Sequence, residues 1–479
     1  MKKAILATLM LTMTSLSTFG ATTSFTGGVG GTETNWNVET NWDNGLPRYE
    51  GGNVNASIGD GFDVVVTADY TWDHATEGTG KYDIYVGDGG TSSLTVSTGT
   101  TLSSGSNKDI FIGNKNVGDG YGTINVEGTL IAGDEMRIGQ VNSTAVGILN
   151  VANGATLTAT ATAVQLYRGE IHIGSTANVS IGQKLRLYSK NDTYEGELNM
   201  TTNGTAIGTI DGLGTLDVEF DNKATLVLTH AGAENVGDSW TVMENVENFY
   251  AYNTTTAGGH FAYIKTQDND PGDAQSRIYS ADYTDDGSVV VTLVAKDSGG
   301  VNYTINHDVV YQGGHTTMLP DNINLINGAE MTVKEGTLIL DGKVARIGEN
   351  SGGGTLILQG GRITSDGQFA SFNIGNGSNY GTVILEGGTL DLQDNVNIKN
   401  GFLHIKDGVT VTDNNGNFIV LDPSTVKFDI NTSLGANPED ALSEWTSNGN
   451  DMKLESGSTL DLDFLNGADT GTVFTLFSG

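Results

Sequence analysis

A 479-residue chain with 57 Asp+Glu against 23 Lys+Arg carries a formal net charge of −34, a balance that repels nucleic acid and anionic membrane surfaces. It has no cysteine, which excludes thiol catalysis, disulfide staples and Cys-ligated zinc or iron–sulfur sites. The 68 glycines beside only 5 prolines fit many short strands joined by tight turns.

Residues 1–20 read as a secretory signal peptide: Met1-Lys2-Lys3 is basic, 4–13 is mostly apolar, and Thr18 and Gly20 suit cleavage after Gly20. The apolar run is too short to span a bilayer. The expectation is an extracellular or outer-surface protein with no membrane span after processing, and loss of Lys2 and Lys3 takes the charge from −34 to −36. Segment 21–82 contains Thr34-Asn35-Trp36, Thr40-Asn41-Trp42 and Val64-Val65-Val66. It is expected to cap the strands beyond it, because an open stack must cover its first layer.

Segment 83–214 repeats one phrase. Ile84-Tyr85-Val86-Gly87, Ile110-Phe111-Ile112-Gly113 and Met136-Arg137-Ile138-Gly139 end on glycines set at a constant interval, and the runs Leu94-x-Val96, Ile124-x-Val126 and Leu149-x-Val151 come after each in turn. Three alternating runs per period with glycines at the turns predict the coils of a parallel β-helix. Alternation points the first and third residues of each phrase inward and the middle one outward.

Segment 215–300 changes texture, with Trp240, Phe249, Tyr250, Tyr252, Phe261, Tyr263, Tyr279 and Tyr283 concentrated in it. Strand formers flank the Asp286-Gly287 dipeptide as in a hairpin, and an antiparallel β module is predicted. A second ladder occupies 301–455, where the interval from Gly348 to Gly375 equals that from Leu356 to Val383 and nearly equals that of the first ladder. Segment 456–479 looks like the start of a second such module, and the chain is expected to be a truncated product. The fold class is therefore all-β: a parallel β-helix, or β-solenoid, in two blocks with an antiparallel β module between them.

The opening Trp36-Asn37…Asn41-Trp42…Gly45…Pro47, followed by repeats of I-G and G-x-L-x-V, resembles bacterial autotransporter-like passenger proteins and secreted β-helix proteins of the PEP-CTERM type. The resemblance covers most of the mature chain and implies a right-handed parallel β-helix displayed or released outside the cell. Its motifs describe scaffold rather than chemistry. The expectation is a chain without the membrane barrel or sorting tail of such proteins, which leaves the mode of attachment open.

Parallel β-helices also carry lyases and glycoside hydrolases, which need converging carboxylates or a base beside a cation-held uronate. No paired-carboxylate phrase stands on adjacent strands, and carboxylates such as Asp119, Asp366 and Asp413 lie in turns. The seven histidines, at 74, 172, 230, 260, 307, 315 and 404, lack metal-site spacing and read as surface or strand residues. Asp268, Asp270 and Asp273 offer a calcium candidate, set against a plain polar hairpin tip because the twelve-residue loop with a closing Glu is missing.

The outward residues Tyr85, Phe111 and Arg137 recur at the interval of the glycines and should stack about 4.8 Å apart on adjacent coils. Such a strip suits the face of a sugar ring. The competing reading is that a cap or module covers it. Two function classes emerge: a secreted or cell-surface structural or adhesive protein without catalytic activity, and a polysaccharide-binding or polysaccharide-cleaving β-helix. The expected partners are extracellular glycans or other cell-surface components; nucleic acid is not among them.

Overall fold

Alternation along each short run decides which side chains meet. In a computed structural model of the protein, Ile84–Val86, Ile110–Ile112 and Met136–Ile138 are strands whose first and third residues are buried and whose middle residue is half-exposed. The structure describes residues 21–27, 34–43, 46, 54–59, 61–71, 83–105, 108–113, 120–140, 144–159, 163–188, 196–204, 206–230, 234–252, 254–267, 277–296, 302–319, 322–340, 342–349, 351–365, 370–407, 409–414, 416–430, 444–447, 452–465 and 477–478. The expected signal peptide lies outside them. Among them every regular element is a strand apart from one 3-10 turn, Glu39–Asn41, and no helix is long and apolar enough to cross a membrane.

The chain divides into two units, 1–196 with 212–217 and 197–211 with 218–479. In the first, three stacks of parallel strands form the three faces of a coil. One stack runs from Ala21–Ser24 through Val54–Ile58, Ile84–Val86, Ile110–Ile112, Met136–Ile138 and Ala163–Leu166 to Lys184–Leu187. The second begins at Asp63–Val66 and passes through Thr91–Val96, Tyr121–Val126 and Val146–Val151 to Gly169–Ile173. The third runs from Tyr70–Thr71 through Thr101–Ser103, Thr129–Ala132 and Thr156–Ala159 to Asn178–Ile181. This is the predicted parallel β-solenoid.

Each coil contributes one layer of aliphatic core. Ile110, Ile112, Ile124, Val126 and Leu130 are 1% exposed or less, and burying each such side chain is worth roughly 1.5–3 kcal/mol. The pairing explains why the repeat loosens after Val151. Gly147 lies opposite Gly122 on one side and Gly169 on the other, and the second interval is the shorter. The strands stay in register while the turns shorten. The ladder also begins earlier than the sequence suggests, since Ala21–Ser24 and Val54–Ile58 already pair within it. The paired Trp-Asn motif folds beside them: the rings of Trp36 and Trp42 meet edge-on at 4.8 Å, and Trp42 Nε1 donates to the Trp36 carbonyl at 3.0 Å.

The second unit contains three parallel stacks. One includes Thr225–His230, Tyr263–Gln267, Thr316–Met318, Thr337–Ile339, Arg362–Thr364 and Thr389–Leu392. A second starts at Asn302–Ile305 and passes through Ala345–Ile347 and Phe372–Ile374. The third starts at Val309–Tyr311 and passes through Gly354–Leu358 and Gly381–Leu385. Inward residues of these stacks from Tyr303 to Ile430 form one buried apolar column, which also takes in Ile278, Val294 and Ala295.

The antiparallel module is present as Ser239–Ala251, Val289–Lys296 and Arg277–Tyr283, paired in that order. Two strands of the same aromatic-rich segment, Thr225–His230 and Tyr263–Gln267, instead join the parallel stack. The segment is thus an elaboration of coils as well as a module. At the expected start of a second module, Thr459–Phe464 pairs parallel with Thr425–Ile430 and continues the ladder.

Candidate functional site

The outward residues on the first stack of the first unit stand in one row. Ser57 lies opposite Tyr85, Tyr85 opposite Phe111, Phe111 opposite Arg137, Arg137 opposite Gln165, and Gln165 opposite Arg186. In-register parallel stacking makes the row: a strand laid on its neighbour with no offset sets like positions one coil spacing apart, about 4.8 Å. Tyr85 and Phe111 stack with ring centroids 5.0 Å apart and planes 7° from parallel. The Arg137 guanidinium lies 5.3 Å from the Phe111 centroid. The predicted strip exists as a continuous aromatic and cationic surface, half-buried along its length.

Beside this row runs a second that the sequence analysis did not single out. Asp83, Asp109 and Glu135 each precede one of the repeated phrases. Asp83 Oδ1 accepts the backbone N–H of Asp109 at 3.3 Å, and Asp109 Oδ1 accepts that of Glu135 at 3.3 Å. The carboxylates therefore act as rungs between coils while flanking the strip. The Asp83 carboxylate accepts from the Tyr85 hydroxyl at 2.9 Å, and Glu135 holds the Arg137 guanidinium at 2.5 Å. Burial, reinforced by the neighbouring charge of Asp83, pushes the Tyr85 phenol well above its ordinary pKa. The signal is present in the sequence: an acidic residue recurs at the ladder's own interval, two positions before each outward residue.

The row ends at a cleft of about 570 Å³ whose lining includes Asp109, Glu135, Gln165, Lys184, Arg186 and Asp217. Carboxylates, amides and two cations thus meet on one face, with Arg137 standing in the row between the cleft's Gln165 and the Phe111 ring. The same position in the second unit's phrases is occupied by Asn324, Arg346, Asn373 and Asn397, one above the other in register. Asn397 Nδ2 donates to Asn373 Oδ1 at 3.0 Å there. The fold is satisfied by stacked amides at this position and does not require aromatic rings.

No protein-family model, curated protein or solved structure matches the chain. Its chemistry has to be read from its own residues.

The calcium candidate Asp268, Asp270 and Asp273 lies outside the described residues, and among the described residues no group of three or more His, Asp or Glu could hold a metal ion. The histidines are less uniform than their spacing suggests. His172 pairs with Glu170 at 2.6 Å and His404 with Asp429 at 2.8 Å. His230 and His315 are buried: the His230 side chain is 2% exposed and contacts Glu234, while His315 is fully buried and donates from Nε2 to the Tyr279 carbonyl at 3.0 Å. His74 lies outside the described residues.

Proposed function

We propose that this chain is an exported, cell-surface β-solenoid of the adhesive, autotransporter-passenger type, and that Tyr85, Phe111 and Arg137, with the cleft beyond them, bind extracellular glycan chains. The observation that carries this reading is the contrast between units. The second unit builds the same position from Arg and Asn, so the stacked rings of the first are surplus to folding. Aromatic faces bind the apolar faces of sugar rings, and flanking carboxylates and amides accept and donate to hydroxyls. The coil spacing sets one side chain per step along the axis, which suits a linear repeating ligand.

Binding without cleavage is the reading that the partners support. Oxygens of Asp83 and Asp109 accept backbone N–H groups of the next coil, and Glu135 is held by Arg137. Groups so engaged are poorly placed to shuttle a proton. A polysaccharide lyase or hydrolase is the second reading, favoured by the meeting of Asp109, Glu135, Lys184 and Arg186 on one cleft. The fold by itself argues for neither.

A glycan array probed with the full chain and with the Tyr85→Ala/Phe111→Ala double variant tests the proposal. Loss of array binding in a variant that still melts cooperatively is expected. Unchanged binding with a lowered melting temperature would mean that the strip only packs. New reducing ends or unsaturated products from a bound polysaccharide would favour the enzymatic reading.

A further inference from the structure

The second unit contains a cleft of about 540 Å³ lined by Phe220, Asp221, Asn222, Tyr252, His260 and Tyr263 together with bare backbone at Gly258, Gly259 and Gly314. We infer that this is a separate saccharide-binding site, for a short neutral oligosaccharide. The inference stands apart from the strip of the first unit and does not depend on it.

The site is built before any ligand arrives. The lining aromatics come from distant parts of the chain, and a packed cluster fixes the floor: Phe220 meets Phe261 edge-on at 4.9 Å and Tyr283 at 6.1 Å. The backbone N–H of Phe261 donates to the Tyr283 hydroxyl at 2.8 Å. The walls rest on glycines that approach too closely for a side chain. A Cβ on Gly259 would lie 2.0 Å from the Tyr250 carbonyl oxygen, and one on Gly314 would lie 2.7 Å from His260 Nε2. The His260 ring is therefore seated on the Gly314 backbone. It also partitions the cleft from a neighbouring one of about 350 Å³ that includes Phe249, Tyr283 and Glu335.

The polar groups select the ligand class. His260 Nδ1 lies 3.1 Å from the Gly258 carbonyl, an acceptor, so Nδ1 is the donor of that contact and in this tautomer Nε2 is an acceptor. Asp221 adds a carboxylate whose Oδ1 is fixed by accepting the Lys223 backbone N–H at 2.7 Å, and Asn222 adds an amide. Acceptors beside the half-buried rings of Tyr252 and Tyr263 fit a ligand rich in hydroxyl donors with an apolar face, which describes a pyranose. An anionic ligand is disfavoured by Asp221 and by the net charge of −34. The volume lies within the range for small-ligand sites.

Hydroxyl-radical footprinting of the full chain with cellotetraose, mannotetraose or chitotetraose reads the site directly. At least one of these should protect Tyr252 and Tyr263 from oxidation, and the Tyr85→Ala/Phe111→Ala variant should show the same protection. Calorimetric titration of that sugar should weaken roughly tenfold or more in Tyr252→Ala/Tyr263→Ala, as expected for the loss of two stacking rings. The proposal fails if none of the three sugars protects either tyrosine. It also fails if the tyrosine double variant, with an unchanged melting profile, binds as tightly as the native chain, or if protection disappears in the strip variant. Failure of the strip proposal alone leaves the footprint at 252 and 263 intact.

Discussion

Gly113 lies so close to the coil above that a Cβ on it would sit 2.1 Å from the carbonyl oxygen of Val146, and its φ is +71°. The I-G ending of the repeat phrase is thus fixed twice over, by contact and by conformation. A left-handed backbone costs an L-residue about 1–2 kcal/mol, and forcing an extra methyl into packed backbone adds about 1–3 kcal/mol. Gly113→Ala should lose about 3 kcal/mol in chemical denaturation. Gly99 has φ +76° with nothing within 4 Å of its Cβ position, so Gly99→Ala should lose only about 1 kcal/mol. Equal losses at the two sites would remove the packing argument.

Phe111 can be exchanged for the residue that the second unit uses in its place. Asn373 and Asn397 occupy this position in register there, so Phe111→Asn should keep the coil and lose the ring stack with Tyr85, worth about 0.5–1.5 kcal/mol, and the Arg137 contact, worth about 0.5–1 kcal/mol. A melting curve and a glycan array on the same variant separate the two roles, with near-native stability and weakened binding expected. A collapse of stability would mean that the strip is core in disguise.

A buried ionic network ties two parts of the second unit together. His230 Nδ1 lies 2.9 Å from Glu234 Oε1, Thr202 donates to the same oxygen at 2.8 Å, and Arg277 Nη2 lies 3.5 Å from Oε2, all with little or no exposure. Tyr279 completes it by a hydrogen bond to His230 Nε2. Removing one partner of a buried pair leaves the others uncompensated, at about 3–5 kcal/mol. Glu234→Ala should therefore destabilise the unit by that order, and Glu234→Leu should not recover it while Arg277 remains. Proteolytic susceptibility of the unit measures the loss. A variant as resistant as the native chain would mean that solvent reaches the site.

The ladder was legible because its physics is local: alternation sets the faces, and a glycine at a constant interval sets the turns. The interior of 215–300 was less so. Thr225 to Leu228 are buried without alternation, since an inward face is packed in the core and the other face is also covered. A strand buried on both sides has no period to read. The His260 cleft was illegible for another reason. Its residues are spread from Phe220 to Thr316 and share no spacing, so only the pairing of strands brings them together. The carboxylate rungs Asp83, Asp109 and Glu135 do stand at the ladder's own interval, but in a chain this acidic a recurring carboxylate does not separate itself from the general surface charge.

His315 gives the second unit a defined response to acid. Burial is the main cause that lowers its pKa from 6.5 to about 4, with the nearby His260 acting in the same direction and the hydrogen bond to the Tyr279 carbonyl opposing it. The folded state therefore holds the ring neutral at pH values where the unfolded chain protonates it. Because the folded pKa is the lower one, the unfolded state binds more protons between the two values, and stability falls as pH drops. The loss begins near pH 6.5 and levels off below about pH 4, amounting to about 3 kcal/mol by linkage. Carboxylates titrate in the lower part of the same window, so the informative quantity is the difference between the native chain and His315→Asn. That difference should shrink steadily from pH 6.5 to 4, measured as urea midpoints across the range, because the variant has no ring to protonate. A difference that stays constant with pH would show that water reaches the ring and that it titrates in the fold as it does in the unfolded chain.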